Sequence, residues 1–291
     1  MNNKLFILIT ALLLVSCWDN KTKNQQQAEE TGDSLVSAEK LVFSRSYFNK
    51  KTKIFDSELP NYSINIEVKY AEGESKAAQL INQQLVSFLF GNTIMPFEEA
   101  KNHFADSLST EYEKELKDFY DPDNEYQDTY AYEYTQTGKV SEDAPEGIIA
   151  YTNRIEMYTG GAHGGALESY INFNEKTGKI ITCDELFGNK QDAVKKLIKE
   201  QIIKDNDCKT EEELVEKRSI FSLGDVYISD NNFLIEKDSI MFCYNPYDIA
   251  PWSEGFIFAK LSYKELEGLI TPNLIKNWQK EWTSSWNIFP T

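Results

Sequence analysis

The stretch Tyr62-Ser-Ile-Asn-Ile-Glu-Val-Lys-Tyr70 alternates apolar and polar side chains, and five residues later the period changes. A period of two places every apolar side chain on one face of a strand, and that face must be covered. From Ser75 to Phe90 the apolar residues Ala77, Ile81, Leu85 and Leu89 form a single helical stripe, flanked by Ala78 and Phe88 and ended by Gly91. A one-faced strand followed at once by a one-faced helix restricts the chain to architectures that lay helices on a sheet.

The remaining pattern extends that unit. Pro96 suits a second helix start, with Phe97, Ala100, Phe104, Leu108, Tyr112 and Leu116 on its apolar side. After Asp121-Pro122 strand patterns return at Asp128–Gln136, Gly147–Thr159 and Leu167–Phe173, followed by the turn Asn174–Gly178. Lys190–Ile203 reads as a helix, Asn232–Tyr244 as a hairpin around Lys237-Asp238, Gly255–Leu261 as a strand and Tyr263–Ile270 as a short helix. The expected class is α+β, mostly antiparallel sheets with helices packed on one face, in two small subdomains.

The first residues read as a targeting segment. Lys4 precedes the apolar run Leu5–Val15, which is too short to span a bilayer. Leu14-Val-Ser-Cys17 resembles the lipobox of bacterial lipoproteins, which implies cleavage after residue 16 and acylation of Cys17. The competing reading is a plain secretory signal in which Cys17 is incidental. Under the first, 1–16 is a lipoprotein signal peptide and 17–44 a lipid-anchored polar tether. The protein is then exported and anchored to a bacterial membrane, on the periplasmic side of the outer membrane or at the cell surface in a Gram-negative cell.

The chain carries 30 Lys plus Arg against 47 Asp plus Glu, a net −17. Loss of residues 1–16 removes only Lys4 and leaves −18. That balance argues against nucleic acid and anionic lipid, and suits either a cationic partner or a merely solvated surface. Residues 105–147 concentrate it, with 13 acids, three lysines and six tyrosines. Beyond Cys17 the cysteines are Cys183, Cys208 and Cys243; one disulfide among them stays open, and Cys243 reads as a buried strand residue in an apolar run.

Chemical motifs are few. Two histidines, His103 and His163, and no CxxC or HExxH give no metal pattern. Asp121-Pro-Asp-Asn-Glu125 has Tyr126 where a calcium loop needs glycine. No GxSxG is present, and a carboxylate pair is beyond what sequence can nominate. No cofactor and no catalysis are expected. His163 lies in Thr159-Gly-Gly-Ala-His-Gly-Gly165. Two readings stand: Gly160, Gly161, Gly164 and Gly165 serve the backbone of a hairpin or bulge, or a slim loop displays the imidazole to a partner. Tyr244, Tyr247 and Trp252 lie in Tyr244-Asn-Pro-Tyr-Asp-Ile-Ala-Pro-Trp-Ser-Glu-Gly255, where they either pack between sheet and loop or anchor a contact. Trp278, Trp282 and Trp286 recur at helical spacing in a Trp-rich tail, 271–291.

The run TGGAHG with its following strand, the turn EKTGK, DELF, and the motif from Tyr244 to Gly255 together resemble a paired envelope module of unassigned function. The first half, 45–165, resembles the N-terminal, non-catalytic domain of PdaC-type peptidoglycan deacetylases. The second, 166–270, resembles the extracellular domain of RsiV-type anti-sigma factors. The resemblance implies lysozyme binding. An anti-sigma factor needs a cytoplasmic domain before its span, and 16 residues precede Cys17, so sigma-factor control is not expected. Nor do two histidines supply a deacetylase metal site. The expectation is a non-catalytic lipoprotein that binds a cationic protein such as lysozyme through His163, Tyr244, Tyr247 and Trp252. The alternatives are an enzyme or accessory factor acting on peptidoglycan or another polysaccharide, and a structural assembly lipoprotein.

Overall fold

The computed structural model describes residues 40–91 and 94–271. The signal segment, Cys17, most of the tether and the Trp-rich tail lie outside the described residues.

The alternating stretch forms β2, Asn61–Ala71, and buries Tyr62, Ile64, Ile66 and Val68 on one face. It pairs with β1, Phe43–Lys53, a strand with no clear alternation that begins inside the segment read as tether. Two helices follow: α1, Lys76–Phe90, capped by the Ser75 hydroxyl, and α2, Phe97–Phe119, which begins after Pro96. Both lie on the buried face of β2. The chain then re-enters the sheet as β3, Ala131–Val140, parallel to β2. Strands β4, Ile148–Tyr158, and β5, Gly165–Asn174, add antiparallel neighbours, giving the order β1-β2-β3-β4-β5. The sheet therefore runs across the module boundary expected at 165/166.

One glycine makes the parallel junction possible. A Cβ on Gly138 would lie 2.2 Å from the Tyr151 phenol oxygen. Because the position is empty, the Tyr151 hydroxyl reaches β2, donating to the Lys69 carbonyl at 2.8 Å and accepting from the Lys69 N–H at 3.1 Å.

The second half begins with a short helix, α3, Cys183–Phe187, started by a capping box between Thr182 and Glu185. Next come α4, Gln191–Asp205, and α5, Glu211–Arg218, the latter not expected from the sequence. A three-stranded antiparallel sheet then forms from β6 (Phe233–Ile235), β7 (Ser239–Tyr244) and β8 (Ile257–Ser262), with α4 packed against β8. The expected helix at Tyr263–Ile270 is instead a run of turns. Its hydrogen bonds mix four- and three-residue spacings, and Gly268 at φ +76° breaks any continuation. The class is α+β, with two mostly antiparallel sheets.

The two sheets meet along β5 and have separate cores, joined by a small third cluster of Ala150, Tyr170, Leu234 and Cys243. Two asparagines make the joint. The fully buried Asn172 amide donates to the Phe233 carbonyl at 2.9 Å and accepts from the Ile235 N–H at 2.9 Å. Asn245 does the same for Glu168, accepting from its N–H at 2.7 Å and donating to its carbonyl at 3.1 Å. The opposite face of the sheet is polar over much of β2 to β4, with Ser63, Asn65, Glu133, Thr135, Arg154 and Glu156 along it.

Candidate functional site

The glycine-rich stretch closes the β4–β5 hairpin. Register ends at Met157↔Gly165, and Thr159–Gly164 make the connection. Gly160 and Gly161 have φ +87° and +93°, which disfavours any side chain. A Cβ on Gly164 would fall 2.8 Å from the Met157 carbonyl oxygen. Gly165 has neither constraint, since its Cβ would meet only the Met157 side chain at 3.6 Å. Backbone need thus accounts for three of the four glycines.

His163 is exposed at the hairpin tip, and its Nδ1 lies 2.8 Å from the Gly164 carbonyl oxygen. Its ring stacks on Trp252, centroids 4.2 Å apart and planes 18° from parallel. The two sequence motifs, far apart in the chain, are in contact.

Trp252 is held by the turn that follows β7. Asp248 accepts from the Asn245 N–H at 2.8 Å and from the Tyr227 hydroxyl at 2.9 Å. Burial pushes the Asp248 carboxyl up from the usual range, and these hydrogen bonds oppose that shift. Tyr247 sits at φ +76°, a costly conformation for an aromatic residue, and is 60% exposed. Gly255 takes φ +69° and donates its N–H to the Trp252 carbonyl, closing the turn. Glu254 is tied to Arg218 at 2.8 Å.

Between this turn and the hairpin lies an open groove of about 290 Å³ on the polar face of the first sheet. Glu133 and Thr135 from β3, Glu156 and Tyr158 from β4, Ala166 and the Trp252 ring line it. Arg154 borders it, pairing with Glu156 at 2.8 Å and Glu168 at 2.7 Å, with its guanidinium 5.0 Å from the Phe256 ring centre. Glu133 has no ion pair among the described residues. An exposed indole beside an unpaired carboxylate is an arrangement that accepts an ammonium or guanidinium group.

Tyr244 must be removed from the contact set. It is fully buried, its hydroxyl donates to the Tyr227 carbonyl at 2.8 Å, and its ring meets Tyr227 edge-on at 5.4 Å. Most of the tyrosines counted in 105–147 are likewise core: Tyr112, Tyr130, Tyr132 and Tyr134 are at most 8% exposed, because β3 turns its tyrosine face to α2. Glu133, Arg154, Glu156 and Asn245 were not nominated by the sequence. For the first three the only signal is polar residues at alternate strand positions, which any solvated sheet face gives; Asn245 reads as an ordinary turn residue.

The three described cysteines, Cys183, Cys208 and Cys243, are free, and burial raises the Cys243 and Cys183 thiols to about 12, so both stay protonated at neutral pH. Among the described residues no cluster of three or more His, Cys, Asp or Glu side chains is placed to hold a metal ion.

Residues 184–264 match the family described as "Protein of unknown function (DUF3298)". Fold likeness extends well beyond that segment. A DUF3298-family crystal structure from Bacteroides fragilis NCTC 9343 aligns with TM-score 0.73 at 23% identity, covering 82% of this chain and 98% of that one. A DUF3298-family protein from Pseudomonas aeruginosa PAO1 aligns with TM-score 0.55 at 16% identity, covering 80% and 96%. Likeness at these identities is one of fold. No curated protein matches.

Proposed function

We propose that this protein is an envelope-anchored recognition lipoprotein that binds a cationic protein in the groove beside Trp252, with lysozyme as the first candidate. The observation that carries the reading is the stacked His163–Trp252 pair at the rim of a groove containing the unpaired Glu133. The His163 ring backs the indole and limits its motion, so less rotamer freedom is lost on binding. A cation over an indole contributes roughly 0.5–2 kcal/mol, and a carboxylate alongside adds direction. The net charge, −17 for the whole chain and −18 once residues 1–16 with Lys4 are removed, steers a cationic partner to the surface. The resemblance of the second half to RsiV-type extracellular domains supports a protein ligand, and the lipobox-like Leu14–Cys17 supports anchoring.

The test is binding of lysozyme, and of an unrelated protein of similar positive charge, at low and physiological salt. Charge attraction alone is screened over about 8 Å at physiological salt and would lose both partners together. The expected result is that lysozyme persists and that Trp252→Ala weakens it tenfold or more, with Glu133→Gln acting in the same direction. Equal loss of both partners with salt sinks the reading. Anchoring is checked by fatty-acid-analogue labelling: Cys17→Ser should abolish the label, and equal labelling would refute the lipoprotein assignment.

A further inference from the structure

A second exposed surface lies at the end of the first sheet where β1 turns into β2 and α2 runs into β3. Phe55, Phe119 and Tyr126 stand there 46%, 61% and 67% exposed. Phe55 is tied to the core, and the loop that carries Tyr126 is held by hydrogen bonds. The Phe55 ring lies 5.4 Å from Tyr120, and Tyr120 lies 5.1 Å from the buried Tyr130. The loop after α2 is closed by its own hydrogen bonds. Tyr130 accepts from the Asp121 N–H and the Asn124 amide at 3.2 and 3.0 Å, and the Gln127 amide donates to the Asn124 carbonyl at 2.7 Å. Aromatic side chains carried on a backbone held in this way cost less entropy to cover than those on an open loop.

Charge selects what covers it. Segments 54–60 and 118–130 contain seven Asp and Glu and no Lys or Arg. All seven are exposed, and none forms an ion pair among the described residues. Anionic lipid would be repelled, as would the same end of a second copy. We infer that this end docks a basic amphipathic segment of a partner protein, its Lys or Arg side chains against the acids and its apolar side chains against Phe55, Phe119 and Tyr126. The inference rests on the recognition reading above and adds a second contact surface to it. The two surfaces adjoin, because Gly160 of the hairpin lies against the Thr129 carbonyl, where a Cβ would come within 3.0 Å.

The probes are two labelled synthetic peptides of equal charge, an amphipathic Leu/Lys helix former and its Ser/Lys counterpart, titrated into the full chain at about 0.15 M salt. The Leu/Lys peptide should bind at least tenfold more tightly. The double variant Phe119→Ser/Tyr126→Ser should cut its affinity at least tenfold, and Trp252→Ala should leave it unchanged. Asp123→Asn/Glu125→Gln, which alters no buried group, should weaken it without any question of folding. Equal binding of the two peptides, or wild-type affinity in both double variants, overturns the inference. So does loss of peptide binding in Trp252→Ala, which would place the peptide in the groove. If the peptide results stand while lysozyme fails to bind, the groove reading falls and this surface remains.

Discussion

Gly164 and Gly165 are neighbours at the return of the β4–β5 hairpin, yet only one of them has to be glycine. An alanine methyl at Gly164 would press on the Met157 carbonyl oxygen at 2.8 Å, and backbone oxygen cannot swing aside as a side chain can. At Gly165 the same methyl finds ordinary contact at 3.6 Å. Gly164→Ala should therefore lower stability by about 1–3 kcal/mol, whereas Gly165→Ala should stay within about 0.5 kcal/mol. Denaturant midpoints of the two variants check this, and equal effects would refute the close-approach account. The sequence displayed this cluster as a whole but could not divide it. Which glycine meets a carbonyl depends on strand register, and register is a property of the pair. His163 shows the same limit. Its place on a slim turn was readable, but its stacking partner comes from the turn between β7 and β8, and nothing local to the hairpin signals it.

At the scale of elements, period was the dependable signal where a segment has one wet and one dry face. β2, α1 and α4 satisfy that condition, and their buried residues follow the pattern. β1 does not. It is an edge strand carrying Arg45, Lys50, Lys51 and Lys53, charges of the kind that protect an edge from further pairing, and they blur the alternation. The parallel pairing of β2 with β3 across two helices had no local signal either. The joints between the sheets were invisible for a different reason: Asn172 and Asn245 read as ordinary strand and turn residues. Asn172→Ala would leave the Phe233 carbonyl and the Ile235 N–H buried without partners, at roughly 1–3 kcal/mol each. A loss of about 2–6 kcal/mol in denaturant melts is expected, with partner affinity of the folded protein unchanged. Asn245→Ala should cost less stability, because the site is only partly buried, but should weaken binding by freeing the turn that holds Trp252. A pair of variants affecting both properties alike would show that the two asparagines do not divide the work between core and site.

For the molecule as a whole the question is whether two cores make two folding units. The resemblance to a paired module suggests a division at 165/166, but the covalent and hydrogen-bonded structure ignores it. The described residues, 40–271, cluster as one compact unit. Ile171 and Phe173 of β5 lie in the core formed by α1, α2 and β2, while Tyr170 and Asn172 on the same strand face the second sheet. Backbone bonds cross the join as well, from Tyr170 N–H to Asn231 and from Lys237 N–H to Asp143. Separating the halves would expose Ala150, Tyr170, Leu234 and Cys243 and break the Asn172 bridge in one step. At roughly 25 cal/mol per Å² of apolar surface, uncovering even this small cluster disfavours a state with one half folded. The protein should therefore unfold in a single transition, with calorimetric and van 't Hoff enthalpies in agreement. A chain ending at residue 165 should fail to fold, since it lacks the strand that completes the first core. Two separated transitions, or a cooperatively folded 40–165 fragment, would show that the module boundary is a folding boundary after all. The groove would then lie between independent parts, and Trp252 would lose the fixed position on which the proposed recognition depends.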